Sequence, residues 1–252
     1  CPTPTIQVYV SATSARGGIA LTASHNPPEY NALKLFNSRG QFFNRYELAD
    51  LIDTYHQGDF DHAPNEDIGS LGEDRDTAPR LHFDRVLKLV DVAAIRKRGF
   101  RVALDSVNGA GAVSTPGFLR EDLGCEVHAI SIDPTQPFPR VAEPRPEHLT
   151  DLAALTRQHS CDIGFAQDPD GDRLAVADET GQILDNDDTL ALVVDAVLAR
   201  TPGPVVVNLS TSSLIDDVAA RHGVPVYRTP VGEANVVERM QAVEAVIGGE
   251  GS

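Results

Sequence analysis

The chain alternates between two hydrophobic patterns: short apolar runs that predict buried strands, and longer stretches with apolar residues three or four positions apart that predict helices. The predicted strands lie at residues 6–10, 18–22, 33–36, 101–105, 125–130, 162–166, 174–177, 204–208, 224–227 and 245–247. The predicted helices lie near residues 44–55, 81–97, 147–159, 186–197, 212–222 and 233–241, and one more begins at Pro116. This regular alternation favours an α/β protein.

Local signals mark where some of these helices begin. Asn44 is a suitable N-cap, and the apolar face of its helix would consist of Leu48, Leu51, Ile52 and Tyr55. Pro116 is placed to begin a helix, because its fixed φ suits the first helical position. Asp185 or Asn186 would cap the helix that follows.

The alternation repeats over three stretches of the chain. We interpret them as tandem, related α/β domains with mixed, mostly parallel sheets, covering residues 1–75, 76–184 and 185–252. Residues 58–80 are acidic, contain scattered Gly and Pro, and show little periodicity, which predicts a linker or long loop between the first two units.

Composition narrows the classes of partner. The chain has 252 residues, of which 41% are hydrophobic, and its 21 basic against 37 acidic residues give a net charge of −16. This balance argues against nucleic acid or an anionic membrane as a partner, while an anionic substrate needs only local positive charge. Cys1, Cys125 and Cys161 are few and widely spaced, so they suggest neither a disulfide framework nor a zinc site.

The ends of the chain suggest a piece of a longer protein. The sequence opens without methionine, directly before a predicted strand, and stops in the glycine-rich residues 248–252. It contains no signal peptide and no apolar run long enough to span a membrane, so we expect a cytoplasmic location. The oligomeric state is left open.

Residues 168–173, Asp-Pro-Asp-Gly-Asp-Arg, form the most distinctive polar stretch. Asp168, Asp170 and Asp172 can point to one side of a loop, and Gly171 allows the backbone to turn between them. Closely spaced carboxylates repel one another unless a cation lies among them, and such hard oxygen ligands suit Mg²⁺, with Ca²⁺ or Mn²⁺ as alternatives. Predicted strands flank the loop on both sides.

Two other interpretations apply to these aspartates. An aspartate-rich turn is often only solvated. An EF-hand would place Asp168, Asp170, Asp172 and Glu179 at its positions 1, 3, 5 and 12. Against the EF-hand, Arg173 stands where that loop needs glycine, and the residues that follow predict a strand.

A second polar loop lies far upstream at residues 22–28, Thr-Ala-Ser-His-Asn-Pro-Pro. Ser24 has His25 beside it, and Lys34 follows a short way on. A serine with basic groups nearby is a possible nucleophile, although Ser-His-Asn is also an ordinary turn composition.

Taken together, the polar loops resemble those of a known family. Residues 22–28 with the following Lys34 are similar to the phosphoserine loop of the α-D-phosphohexomutases, the superfamily of phosphoglucomutase, phosphomannomutase and phosphoglucosamine mutase. Residues 168–173 resemble its metal loop, residues 249–252 its sugar-binding loop and residues 229–232 a second substrate loop. The similarity covers the later half of the family's first domain, its second domain and most of its third.

The resemblance implies a role for each loop. Ser24 would carry a phosphoryl group and exchange it with a hexose phosphate, with Mg²⁺ held by Asp168, Asp170, Asp172 and a phosphate oxygen on Ser24. A hexose bisphosphate would be the intermediate and the activator. Lys34 and Arg173 would neutralise phosphate oxygens, and His25 would either shuttle a proton or have a structural role.

The resemblance also implies residues that would contact the sugar. Glu250 and Ser252 would bind sugar hydroxyls, and Thr229 and Gly232 would belong to the second substrate loop. The family usually has glycine where this chain has Ala32, and the family's fourth domain, which grips the non-reacting phosphate, has no counterpart here.

Several alternatives follow from these departures. The chain could bind metal and phosphosugar without turnover, or it could be a metal-dependent phosphatase in which water takes the phosphoryl group. The sequence does not choose between glucosamine, mannose and glucose phosphates.

Overall fold

The computed structural model describes residues 1–27, 29–58 and 60–251. Its helices are α1 (Thr3–Ala12), α2 (Arg45–Gln57), α3 (Thr77–Leu87), α4 (Val92–Arg98), α5 (Gly111–Gly117), α6 (Thr150–Gln158), α7 (Asn186–Leu198), α8 (Leu214–His222) and α9 (Glu233–Val243). Its strands are β1 (Gly17–Leu21), β2 (Leu33–Asn37), β3 (Arg101–Asp105), β4 (Glu126–Ile130), β5 (Ile163–Gln167), β6 (Leu174–Ala177), β7 (Val205–Asn208), β8 (Val226–Thr229) and β9 (Ile247–Gly249). The predicted α/β class with mostly parallel sheets is confirmed.

The first unit is an antiparallel hairpin of β1 and β2, with Ile19 opposite Leu35. A turn at residues 37–40 connects β2 to the segment before α2, and Gly40 adopts a positive φ of 72°. Asn44 caps α2 as predicted, because its side chain accepts hydrogen bonds from two backbone amides of the first turn and Glu47 completes a capping box. The predicted apolar face of α2, however, is exposed: Leu48, Leu51, Ile52 and Tyr55 are all at least 40% accessible.

The strand predicted at residues 6–10 is wrong, because this segment lies within helix α1. Its β-branched residues favour a strand locally, but Ile6 and Val10 are one helical turn apart and pack together over Gly18 of β1. A side chain at Gly18 would meet Val10 at 2.9 Å. Tertiary packing therefore overrides the local preference.

The second unit is a sheet with strand order β4-β3-β5-β6, in which only β6 is antiparallel. Buried apolar residues cover both faces of β3, as expected for a parallel sheet between helices. The predicted helix over residues 81–97 is wrong as a single element: α3 and α4 are separate, because Asp91 starts a new helix by accepting a hydrogen bond from the amide of Ala94.

Pro116 does not begin a helix. It lies inside α5, which starts at Gly111, and a π-helical turn over Phe118–Asp122 follows directly. Proline lacks the amide hydrogen that continues an α-helical ladder, so Pro116 makes no bond to the carbonyl one turn before it within α5.

The third unit is a parallel sheet with strand order β8-β7-β9. Its core combines β7 with the inner faces of α7 and α8, through the buried residues Val194, Leu198, Val205, Val207 and Ile215. β8 and β9 each begin two residues later than predicted, so the glycine-rich Ile247–Gly249 segment is a strand. None of the helices in the described ranges has both the length and the apolar character that a membrane span requires.

The candidate loops of the second and third units follow the carboxyl ends of parallel strands. Residues 168–173 follow β5, and the loops that begin at Leu209, Pro230 and Glu250 follow β7, β8 and β9. Because these ends lie at the same edge within one sheet, the topology brings the polar side chains of each unit together.

Candidate active site

The aspartate loop is a cluster of carboxylates in which Asp168 and Asp170 are buried and Asp172 is exposed. One oxygen from each of Asp168, Asp170 and Asp172 lies within 4.8 Å of the others, and Asp168 is fully buried. Gly171 adopts the predicted left-handed turn with φ of 68°, and Asp168 accepts a hydrogen bond from the backbone amide of Arg173 at 3.0 Å. The burial rules out the solvated-turn interpretation. The EF-hand is also wrong, because residues 174–177 form β6 rather than a helix.

The loop is seated on a tight turn of the same unit. The amide of Ala110 donates to the carbonyl of Pro169 at 2.7 Å, and a side chain at Gly109 would lie 2.5 Å from that carbonyl oxygen. Close approach to the Pro169 backbone therefore explains Gly109, and a side chain at Gly111 would collide with the side chain of Gln167.

The electrostatics of the cluster favour a proton or a cation. Burial, followed by the charges of Asp172 and Asp170, raises the pKa of Asp168 to about 7. Burial also opposes ionisation of Asp170, but hydrogen bonds from Lys34 and Thr3 leave its pKa below the ordinary value. One oxygen of Asp170, Oδ1, is buried and has no hydrogen-bond partner among the described residues. This acceptor and its two neighbouring carboxylates fit a hard divalent cation such as Mg²⁺.

Ser24 lies against this cluster. Its Oγ donates to Asp168 Oδ2 at 3.2 Å, although the two residues are 144 positions apart. Ser24 has a positive φ of 52°, and its amide donates to the hydroxyl of Thr22 at 2.9 Å. His25 Nδ1 lies 3.3 Å from Ser24 Oγ, and burial, then the charge of Arg173, lowers the pKa of His25. A neutral imidazole thus lies beside the candidate nucleophile.

Lys34 connects the hairpin to the aspartate loop. Its Nζ donates to Asp170 Oδ2 at 2.6 Å and to Asp172 Oδ2 at 2.5 Å. Although burial lowers the pKa of Lys34, the two carboxylates raise it by more, so the ammonium stays charged. The structure therefore brings the predicted residues Ser24, His25 and Lys34 to the aspartates.

Arg173 reaches a partner that the sequence analysis missed. Its Nη1 donates to Glu143 Oε1 at 2.9 Å, and its side chain is 42% exposed. Glu143 lies in the proline-rich loop before α6, where a single sequence carries no signal for a long-range ion pair. The same loop contributes Arg140, which binds the buried Asp105 at 2.7 Å and the carbonyl of Gln167 at 2.9 Å.

The predicted sugar loops form a second cluster in the third unit. Glu250 Oε1 accepts from the amide of Gly232 at 2.7 Å and from Asn208 Nδ2 at 2.8 Å, and Asn208 is another residue that the sequence analysis missed. Thr229 is 6% exposed, and its hydroxyl donates to the carbonyl of Pro230. Ser252 lies outside the described residues.

Glu233 is a partly buried carboxylate near both clusters. Gln7 of α1 donates to its Oε1 at 2.9 Å, which ties the third unit to the first. Burial raises the pKa of Glu233, and the charges of Asp172 and Glu250 raise it further. Because both charges act on one carboxyl group, the aspartate loop and the sugar loop border the same region of the molecule.

Comparison with known proteins agrees with this arrangement. The model of phosphoglucomutase/phosphomannomutase α/β/α domain I matches residues 1–62, that of domain II matches residues 80–181, and that of domain III matches residues 185–252. The chain is a tandem α/β protein of the phosphohexomutase class. It belongs to the phosphoglucomutase/phosphomannomutase family.

Individual relatives show how far the similarity extends. A phosphoglucomutase/phosphomannomutase of Thermococcus kodakarensis is 39% identical over 99% of this chain and 54% of its own length. A protein of Methanopyrus kandleri named "probable phosphoglucosamine mutase" is 37% identical over 98% of this chain and 54% of its own length. The chain therefore spans about half the length of the curated relatives it matches.

The fold is similar to solved structures. The crystal structure of a phosphoglucomutase/phosphomannomutase family protein from Burkholderia thailandensis matches 99% of this chain and 54% of its own chain, with a TM-score of 0.82 and 27% identity. A phosphoglucomutase from Paramecium, solved in an open form, matches with a TM-score of 0.79 and 22% identity, which shows the fold alone.

Proposed function

We propose that this chain forms the catalytic part of a phosphohexomutase that interconverts 1-phospho and 6-phospho hexoses. The observation that supports the proposal most directly is the 3.2 Å contact between Ser24 Oγ and Asp168 Oδ2. It joins a hydroxyl, which is an acceptor for phosphoryl groups, to a cluster of carboxylates that fits a divalent cation. Phosphoryl transfer depends on such positioning and charge neutralisation.

In the proposed reaction Ser24 is phosphorylated at rest. The bond between phosphorus and Ser24 Oγ breaks as a sugar hydroxyl forms a new bond to phosphorus and loses its proton. The product is a hexose bisphosphate, which reorients and returns its other phosphoryl group to Ser24. The same bisphosphate would act as the activator that phosphorylates an empty Ser24.

The residues around Ser24 have distinct proposed roles. Asp168, Asp170 and Asp172, with a phosphate oxygen on Ser24, would hold Mg²⁺, which supplies charge neutralisation at the phosphate when bound. Lys34 and Arg173 would contribute positive charge to phosphate oxygens. His25, kept neutral by burial, is placed to accept a proton.

The sugar would lie toward the third unit. We propose that Glu250 and Ser252 bind its hydroxyls, while Gly232 acts by holding Glu250 and Thr229 shapes the end of β8. The names of the relatives point to glucosamine, mannose or glucose phosphates as the candidate substrates. The cytoplasmic location expected from the sequence is part of the same proposal.

Peptide mass spectrometry of the purified chain tests the proposal. We expect one phosphate on the peptide that contains Ser24 after treatment with a hexose bisphosphate, and its loss on incubation with a hexose phosphate and Mg²⁺. Ser24→Ala should abolish incorporation, whereas Ser11→Ala, which removes an exposed hydroxyl on α1, should leave it unchanged. Full incorporation in Ser24→Ala would refute the assignment.

The same experiment separates the other readings. Phosphate that stays on Ser24 in the presence of each candidate hexose phosphate would favour binding without turnover. Release of inorganic phosphate in place of a phosphorylated sugar would favour a phosphatase.

A further inference from the structure

Asn208 is a fully buried asparagine at the end of β7, and its side chain connects that strand to Glu250. Its Oδ1 accepts hydrogen bonds from the backbone amide of Thr211 at 2.9 Å and from the Thr211 hydroxyl at 2.7 Å. Its Nδ2 donates to Glu250 Oε1 at 2.8 Å. A buried amide with partners on both sides is held in one orientation.

The Thr211 amide decides which way the Asn208 side chain faces. A backbone N–H can only donate, so the Asn208 atom that it meets must be the oxygen. The nitrogen must then face Glu250. The contact at Glu250 is therefore an N–H donor directed at a carboxylate, which is among the stronger kinds of hydrogen bond in proteins.

Glu250 receives both of its described donors on a single oxygen. Asn208 Nδ2 and the amide of Gly232 both point to Oε1, at 2.8 Å and 2.7 Å. Within the described ranges no hydrogen bond to Oε2 occurs. Two donors, one at the end of β7 and one at the start of α9, restrain the carboxylate and leave the second oxygen as an acceptor for a ligand.

The surroundings of Asn208 resist movement. The amide of Gly251 donates to the Thr211 hydroxyl at 3.1 Å, so the residue after Glu250 is attached to the same loop. A side chain at Gly251 would collide with Asp187 Oδ1, so the backbone after Glu250 lies close against the start of α7. Arg228 donates to the carbonyl of Thr211 at 2.7 Å. The acceptor thus belongs to a rigid frame.

We infer that Asn208 is a positioning residue that aims the free oxygen of Glu250 at a hydroxyl of the sugar. The inference rests on the proposed function for the identity of the ligand, a neutral polyhydroxyl ring that carries phosphate. Asn208 does not touch the ligand; it acts through Glu250. Loss of the Asn208 donor lets the carboxylate rotate and weakens the recognition of one hydroxyl.

Hydrogen exchange tests the positioning without any ligand. In Asn208→Ala the amide hydrogens of Gly232 and Gly251 should exchange roughly tenfold faster, because their acceptors are no longer fixed. The control is Thr156→Val, which removes a buried hydroxyl bonded to the Leu152 carbonyl in the second unit. Unchanged exchange of both glycine amides in Asn208→Ala would overturn the inference.

Calorimetric titration tests the specificity. The probes are the 1-phosphates of glucose, mannose and glucosamine, and the monodeoxy analogues of the sugar that binds. Asn208→Ala and Glu250→Gln should each weaken binding roughly tenfold, and the double variant should be no weaker than either. Asn208→Asp keeps the shape and the Thr211 contacts but removes the donor, and it should weaken binding at least as much as Asn208→Ala.

One monodeoxy analogue should bind equally to the unsubstituted chain and to Asn208→Ala, since it lacks the hydroxyl that Glu250 meets. A purely structural role would weaken all analogues alike, and that result would overturn the inference. If none of the three sugar phosphates binds the unsubstituted chain, the proposed function fails, and the exchange measurement still decides the role of Asn208.

Discussion

The unit that carries the aspartate loop and the unit that carries the serine loop differ in how much of their secondary structure is buried. The aspartate loop follows strand β5, which pairs with β3, and Val102 to Asp105 of β3 are each at most 2% exposed. The serine loop joins two hairpin strands that bury only Ala20 and Phe36, and helix α2 beside them has no buried residue. The aspartate loop is therefore held by a hydrophobic core, whereas the serine loop is held by its polar contacts with the aspartates.

The difference indicates which loop organises the other. Ser24 and Lys34 reach across to Asp168, Asp170 and Asp172, and Thr3 of α1 donates to Asp170 at 2.8 Å. The carboxylates hold their places through their own unit, so they provide the fixed reference against which the proposed nucleophile, Ser24, is placed. Preorganised charge of this kind is the main contribution of a protein to phosphoryl transfer.

The largest effect should come from the buried ion pair beneath the aspartate loop. Arg140→Ala leaves Asp105, which is 2% exposed, without its partner and frees the carbonyl of Gln167. We expect the free energy of unfolding to fall by about 3–5 kcal/mol, measured by urea denaturation. Arg221→Ala removes an exposed arginine near Asp195 and should change little; an equal loss in both variants would contradict this account.

A pH-dependent effect should follow from Asp168. Its pKa of about 7 in the folded state exceeds the 3.8 of the unfolded chain, so the folded state binds more protons between these values. Stability should therefore fall as pH rises through this window, by about 1.4 kcal/mol per pH unit and about 2 kcal/mol from pH 5 to 6.5.

The comparison with Asp168→Asn isolates the contribution of Asp168. His25 and His82 have lowered pKa values, so their contribution to stability rises with pH, but it is present in both proteins and cancels in the difference. The difference in unfolding free energy between the unsubstituted chain and Asp168→Asn should decline with pH, and saturating Mg²⁺ should reduce that decline, since a bound cation favours the ionised carboxylate. A difference that is constant with pH would contradict the prediction.

A smaller effect should come from the link between the two units. Thr3→Val keeps the shape of a buried side chain but removes the hydrogen bond to the Asp170 carboxylate. We expect a loss of about 1.5 kcal/mol in the free energy of unfolding, because hydrogen bonds to charged groups exceed neutral ones. Thr5→Val is the matched control, since its hydroxyl meets the neutral ring of His82, and it should lose less.

The smallest effect should come from the serine-loop unit itself. Asn44→Ala removes the side-chain acceptor at the start of α2 and should cost about 1 kcal/mol, measured as faster exchange of amides in that helix. The Mg²⁺ binding that we propose for the carboxylate cluster should be the same in Asn44→Ala and the unsubstituted chain, measured by calorimetry. A loss of metal binding in Asn44→Ala would mean that the two units are coupled more tightly than their contacts indicate.

The sequence predicts much of the α/β units and less of the hairpin unit. β3, β5 and β7 consist of apolar runs between turns, so pattern and structure agree. The segment of α1 has strand-forming residues, and only its packing on Gly18 reveals a helix. Local patterns report burial reliably where a sheet is covered on both faces, and poorly where a short helix packs on a hairpin.

The candidate site also has a part that the local sequence predicts and a part that it does not. The acidic triad is visible in six consecutive residues, and Gly171 marks its turn. Ser24 and Asp168 are 144 positions apart, so no local sequence pattern predicts their contact. Only the family resemblance indicated that the two loops act together. Glu143 and Asn208 had no such resemblance to identify them, since their roles depend on partners that only the folded chain brings near.

The backbone of Ser24 has a consequence for which amino acid can stand at the proposed phosphorylation site. Its φ of 52° lies in the left-handed region, where a second heavy substituent on Cβ collides with the main chain. Threonine offers the same hydroxyl chemistry, but its extra methyl group makes this conformation unfavourable. The choice between the two hydroxyl amino acids is thus made by chain geometry rather than by nucleophilicity, and Ser24→Thr should lose the proposed phosphorylation although it keeps the hydroxyl oxygen.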